Sequence, residues 1–177
     1  TGLPAIYERG QGGLMDIELH PNFKENNLIF LSYASGDRES GGNTAIASAE
    51  LLENKLVNLK LLYKGEENTT RGQHFGSRIQ IDNDGYLYFT IGDRGNRDVN
   101  PQDLKKDGGK VYRINIDGSI PDDNPFFGSD GVKKAIYSYG HRNPQGIFLH
   151  PKTGKIWTNE HGPRGCLLYT SPSPRDC

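Results

Sequence analysis

Ile81-Asp82-Asn83-Asp84-Gly85-Tyr86-Leu87-Tyr88 is the stretch that decides the fold. Asn83-Asp84-Gly85 is a turn signal between two runs of strand character. Residues 77–81 alternate apolar with polar, and residues 86–91 are rich in aromatic and β-branched side chains. The same order returns at Leu149-His150-Pro151-Lys152-Thr153-Gly154-Lys155-Ile156-Trp157. A looser copy is Leu19-His20-Pro21-Asn22-Phe23 running into Leu28-Ile29-Phe30. The copies lie roughly 65 to 70 residues apart, longer than the about 40 to 50 of a propeller blade, and inserted loops make up the difference. Repeated antiparallel units around an axis fit this pattern better than a sandwich does, because each unit buries its face only on its neighbours. Two or three units do not close a ring. The expectation is an all-β chain, an open fragment of a β-propeller.

The remaining sequence supplies the strands such units need. Residues 14–19 alternate well enough for a strand ending at His20-Pro21, and residues 28–33 form a second, largely apolar one. Residues 44–51 and 55–63 read as two outer strands, although the leucines of the second also fit a short helix. Residues 110–116, 135–139, 146–150 and 155–158 complete the set. Residues 92–108 form a polar excursion longer than a plain connection, a length typical of functional or ligand-facing loops.

Composition agrees and narrows the function. Of 177 residues, 23 are Gly and 10 are Pro, and the hydrophobic fraction is 33%, which favours short strands over long helices. The formal net charge is -1 and no basic run is longer than a pair, which argues against a nucleic-acid partner. No apolar stretch approaches the roughly 18 to 20 residues that span a bilayer. No signal peptide is visible, but the chain starts at Thr1, so the N-terminus says little about compartment.

The polar stretch of most chemical interest is Tyr139-Gly140-His141-Arg142-Asn143-Pro144-Gln145-Gly146. Gly and Pro at that density force a tight, non-repeating backbone between two apolar strands. Arg142 offers a planar fork of donors suited to a carboxylate or phosphate, and Asn143 offers both a donor and an acceptor. The plain alternative is a structural turn whose Arg142 pairs with an Asp. His20 and His150 read as turn residues at strand ends. Asp93 and Asp98 have the chemistry to bind a metal, but an Asp in a Gly-rich loop more often makes a local turn bond.

The text changes character after Gly165. Residues 166–177 show no alternation, two Ser-Pro steps and both cysteines of the chain, Cys166 and Cys177. Two cysteines there support neither a disulfide framework nor a metal site. The domain is therefore expected over residues 1–165. Residues 166–177 are expected to be a non-native or disordered tail packing against nothing in a defined way.

With these motifs in view, the chain resembles the soluble quinoprotein glucose/sorbosone dehydrogenase family, and within it the aldose sugar dehydrogenases. Five stretches carry the likeness, in family order. They are Gly10-Gln11-Gly12-Gly13-Leu14; His74-Phe75-Gly76-Ser77-Arg78; Ile91-Gly92-Asp93-Arg94-Gly95; Gly109-Lys110-Val111-Tyr112-Arg113-Ile114-Asn115 with Asp117-Gly118-Ser119-Ile120-Pro121; and the Arg142 stretch followed by Glu160-His161-Gly162-Pro163.

The resemblance implies a six-bladed β-propeller, of which this chain is about half the ring. It also implies pyrroloquinoline quinone (PQQ) and Ca²⁺ as cofactors and oxidation of an aldose at C1 to the lactone. Carried onto matching positions, His74 is the general base, and Gln11, Arg142 and Asn143 contact the cofactor. The carbonyls of Gly162 and Pro163 are ligands of Ca²⁺. An external electron acceptor and a periplasmic or secreted location are implied likewise, and the fragment alone is expected to be inactive. The chemistry suits the residues: imidazole titrates near working pH, and fixed donors stabilise charge developing on quinone oxygens.

The chain departs from the glucose-type pattern at Gln73, where an acidic residue precedes the base. Gln73 can orient His74 but cannot stabilise its cation, which leaves that task to another group. Two competing readings stand beside this one. A non-catalytic propeller binding a protein or glycan has no need of His74, Gln11 and Arg142 together. A Ca²⁺-dependent propeller lactonase calls for several carboxylates converging on the metal.

Overall fold

The computed structural model describes residues 1–162 and 167–170. They form antiparallel sheets, each a simple up-and-down meander. The first sheet is β1 (Leu14–Leu19), β2 (Leu28–Asp37), β3 (Gly41–Leu52) and β4 (Lys55–Lys64), in that order. The second is β5 (Ile79–Ile81), β6 (Tyr86–Ile91), β7 (Lys110–Asn115) and β8 (Ile136–Tyr139). In the third, β10 (Ile156–His161) lies between β9 (Pro144–Leu149) and β11 (Leu167–Thr170). One short helix, α1 (Phe23–Asn26), fills the β1–β2 connection.

The turn at 83–85 forms as the sequence demands. Asp82 accepts the backbone N–H groups of Asp84 and Tyr86 through its side chain, and Gly85 takes φ +85°. Residues 55–64, for which a helix was the alternative, are strand throughout and pair with β3. Glu53 and Asn54 both take positive φ in the connecting two-residue turn, the geometry that lets antiparallel strands continue their twist.

Strand alternation explains how the sheets stack. Leu87, Phe89 and Ile91 of β6, with Tyr112 and Ile114 of β7, face the first sheet and bury Phe30 and Ile46 in the main core. Phe89 stacks on Tyr112 with ring centroids 4.8 Å apart. The intervening residues Tyr88 and Val111 face the third sheet and meet Ile156, Ile147 and Leu149. The middle sheet is thus apolar on both faces, the pattern of an internal blade. Asp107 ties β4 to β7 and to the segment before β8: it accepts the Tyr63 and Tyr112 hydroxyls at 2.5 and 2.8 Å and pairs with Lys133 at 2.8 Å. Burial, then the Asp107 charge, pushes the Tyr63 hydroxyl well up, so it remains a donor.

Two boundaries differ from the sequence reading. Leu167–Thr170 is a strand paired antiparallel to β10, with Leu168 opposite Glu160, so this part of the expected loose tail has defined packing. Backbone pairing explains the miss: a short edge strand needs no hydrophobic alternation, and Leu167, Leu168 and Tyr169 are largely exposed. Pro144 and Gln145 belong to β9, two residues ahead of the expected start at Gly146, because pairing with β10 begins at Pro144 opposite Glu160.

Candidate active site

The candidate residues gather at one end of the strands. Gln11 precedes β1, His74 precedes β5, and Arg142 and Asn143 precede β9; Asp93 follows β6, and Gly162 follows β10. β5 packs beside both β1 and β9. The connecting hydrogen bonds show that these ends meet. The Gln11 carboxamide oxygen accepts the His74 backbone N–H at 2.8 Å. Asn143 Oδ1 accepts the Gly76 N–H at 3.1 Å, and the Asp93 N–H donates to the Arg142 carbonyl at 2.7 Å. His74, Asp93 and Arg142 line one pocket of about 390 Å³ with Arg71, Gln73, Arg97 and Asp98. Gln11 opens onto the adjoining hollow beside Phe75 and Gln145.

The pairing at His74 sets its chemistry. His74 Nδ1 lies 2.7 Å from Asp93 Oδ1, whose side chain is wholly buried, whereas 14% of the His74 side chain is exposed. A carboxylate only accepts, so Nδ1 carries the proton and Nε2 keeps its lone pair. That is the tautomer of a general base with its orienting partner. Gln73, the nearest candidate by sequence, contributes only its backbone carbonyl, which accepts from Arg94. Asp93 does make the expected local bond, accepting the Gly95 N–H at 2.7 Å, but the same oxygen holds His74. The signal was long-range: 19 residues separate the pair, and only the joining of β6 to the loop before β5 brings them together.

The backbone around His74 is unusual. His74 takes φ +55° and Ser77 φ +76°, positions that non-glycine residues adopt only when their surroundings fix them. Gly92 permits the approach: a Cβ there would collide with the His74 carbonyl and crowd Asn143. The long 92–108 loop is pinned from below by Lys110, whose buried ammonium donates to the carbonyls of Asn100 and Gly108 at 2.6 and 2.7 Å. Burial pushes the Lys110 ammonium down to about 8, against the pull of Asp107 and Asp103.

Glu160 anchors the Arg142 turn. Its Oε2 accepts the backbone N–H groups of Arg142 and Asn143 at 2.5 and 3.2 Å, and Oε1 lies 3.5 Å from His141 Nδ1. Burial raises the Glu160 carboxyl, but His141 and these two N–H groups outweigh it and hold it below the ordinary value. Arg142 Nη1 donates to the His161 carbonyl at 2.9 Å, a backbone group rather than the Asp of the plain alternative. Asn143 is buried and braces Gly76. Gly162 is buried beside this turn, and Pro163 lies outside the described residues. Among the described residues no group of three or more His, Cys, Asp or Glu is placed to hold a metal. His20 and His150 are turn residues as expected, each accepting backbone N–H groups two or three residues on.

Stacked four-stranded meanders with a polar site at one strand end define this chain as part of a β-propeller. It belongs to the glucose/sorbosone dehydrogenase family, whose model matches residues 1–166. The aldose sugar dehydrogenase YliI of Escherichia coli strain K12 is 38% identical over 167 residues, covering 93% of this chain and 45% of that one. The apo crystal structure of the soluble aldose sugar dehydrogenase of Escherichia coli superposes with a TM-score of 0.93 at 38% identity, covering 98% of this chain and 50% of the other. The PQQ-bound aldose sugar dehydrogenase of Streptomyces coelicolor gives a TM-score of 0.79 at 28% identity, covering 96% and 49%. The chain spans about half the length of these relatives.

Proposed function

We propose that this chain is part of a quinone-dependent sugar dehydrogenase that oxidises an aldose at C1 to the lactone and passes the electrons to an external acceptor. The observation that carries the proposal is the His74–Asp93 pair opening into the same pocket as Arg142. His74 Nε2 takes the proton of the C1 hydroxyl, and Asp93 steadies the imidazolium that results. Arg142 presents its guanidinium to the developing negative charge, while Glu160 holds its backbone. Gln11 and Asn143 fix the loops before β1 and β9 to the loop before β5.

The donor set fits an anionic quinone, since Arg71, Arg97 and Arg142 surround a pocket whose acidic residues are Asp93 and Asp98. When bound, PQQ supplies the two-electron acceptor for the C1 hydride, and Ca²⁺ supplies a Lewis acid for hard oxygen ligands. The carbonyls of Gly162 and Pro163 are the proposed protein ligands of Ca²⁺. A periplasmic or secreted location goes with this reading; no described helix is long and apolar enough to cross a membrane.

The test uses the protein at the full length of its relatives, loaded with PQQ and Ca²⁺. Aldose is supplied with an artificial electron acceptor, and the sugar product is followed by NMR. Lactone formed in step with acceptor reduction supports the proposal. Quinone binding without sugar oxidation, or hydrolysis of added lactone, would overturn it.

A further inference from the structure

Residue 94 follows the carboxylate that holds the base, and its own side chain turns back to the same loop. The Arg94 side chain is almost wholly buried, at 3% exposure. Its Nη2 donates to the carbonyls of Arg71 and Gly42 at 3.0 and 3.1 Å, and Nη1 donates to the Gln73 carbonyl. Its Cζ sits 3.4 Å from the centre of the Phe75 ring. Among the described residues no carboxylate lies within ion-pair distance of it. Burial pushes the guanidinium down to about 10, with Tyr7 and Asp93 pulling it up, so it remains charged at neutral pH. A buried cation held by carbonyl dipoles and an aromatic face, with its Nε–H left without a partner among the described residues, is costly to keep, which points to a positional role.

The acceptors are not scattered. Arg71 and Gln73 lie just before His74, Phe75 lies just after it, and Gly42 lies at the start of β3, an inner strand of the first sheet. The guanidinium therefore bolts the backbone before the base to the first sheet and lies on the ring of the residue after it. Three restraints then act on one residue. Asp93 holds the imidazole, Gln11 holds the backbone N–H, and Arg94 holds the flanking backbone. Such a clamp is what a non-glycine residue at φ +55° requires.

We infer that Arg94 is a positioning residue for the base: its planar fork fixes residues 71–75 so that His74 stays on Asp93 in the Nδ1-protonated form. The importance of that form rests on the proposed function, but the clamp concerns the geometry of this chain alone. The competing explanation is that Arg94 merely fills the space between two sheets. A filler role affects stability without altering the state of the imidazole.

The experiment is ring-¹⁵N NMR of the histidine-labelled chain, with the His74 signals assigned by their loss in His74→Gln. In the unaltered chain the neutral ring should be protonated at Nδ1, with a slowly exchanging proton. Arg94→Met should move the ring toward the Nε2–H tautomer and speed Nδ1 proton exchange about tenfold, the factor for losing roughly one hydrogen bond. Arg94→Lys keeps the charge but cannot span three carbonyls, so an intermediate spectrum is expected; it decides the matter if Arg94→Met does not fold. Phe75→Leu is the control: it loosens the packing while leaving the carbonyl clamp, and should keep the tautomer of the unaltered chain. An unchanged His74 spectrum in a folded Arg94 variant would overturn the inference. So would an equal change in Phe75→Leu. No activity is measured, so failure here is separate from failure of the dehydrogenase reading.

Discussion

Replacing Asp93 with Asn tests how the base is held. Asp93 Oδ1 accepts two bonds, from His74 Nδ1 and from the Gly95 N–H, each 2.7 Å long. Oδ2 is buried and has no partner among the described residues. An Asn at this position therefore keeps its oxygen toward Gly95 and His74 and places its amide nitrogen where Oδ2 stood. The tautomer survives and the negative charge is lost. A bond to a charged group contributes about 1 to 1.5 kcal/mol more than a neutral one, so turnover should fall roughly five- to fifteenfold. Had the amide turned the other way, His74 would be held in the wrong tautomer and the loss would approach about 10⁴. The assay is kcat at saturating aldose in the full-length, PQQ-loaded protein. Activity within about twofold of the unaltered enzyme, a difference of less than roughly 0.5 kcal/mol, would refute the orienting role of Asp93. A loss near 10⁴ would refute the argument from Gly95.

Three further outcomes follow from the geometry. On the proposed function Arg142→Ala should weaken both turnover and quinone binding, because the guanidinium lines the pocket; tight quinone binding by the variant would contradict this. Glu160 has its folded-state carboxyl below the ordinary 4.5, so its stabilising effect is complete above that pH and is lost as pH falls through the folded value. The stability advantage over Glu160→Gln, measured by urea unfolding, should accordingly shrink between neutral pH and about pH 3. An advantage that grew on acidification would have the wrong sign. Asp107→Ala takes the acceptor from the Tyr63 hydroxyl and the Glu66 N–H, while Tyr112 keeps the residue-107 carbonyl and Lys133 keeps Glu66, and should cost about 2 to 4 kcal/mol in the same measurement; a change below about 0.5 kcal/mol, the scale of neutral surface substitutions, would show that the network contributes nothing.

Much of the fold could be read from local pattern. The turn at 83–85, the alternation of residues 77–81 and the aromatic and β-branched run of β6 are written in adjacent residues, and so is the return of the same unit at residues 149–157. The limits lay where long-range pairing decides. Leu56, Leu59, Leu61 and Leu62 are compatible with helix or strand until β3 pairs beside them. Leu167–Thr170 carries no pattern at all, and its order comes from the edge of β10. The candidate site divides in the same way. His74, Gln11, Arg142 and Asn143 sit in motifs with distinctive neighbours, and the structure brings their loops together. Asp93, Arg94 and Glu160 sit in the same motifs without a readable partner. Each acts on a loop 18 to 21 residues away, or further, and no spacing rule links loops that meet only when sheets stack.

The most direct measurement of the central claim is aldose oxidation by His74→Ala in the full-length protein, reconstituted with PQQ and Ca²⁺ and assayed with an artificial electron acceptor. On the proposed function His74 takes the proton of the substrate hydroxyl, so turnover should fall by about 10² to 10⁴, or roughly 3 to 5 kcal/mol, while quinone binding stays nearly intact. Full turnover in His74→Ala would contradict the account.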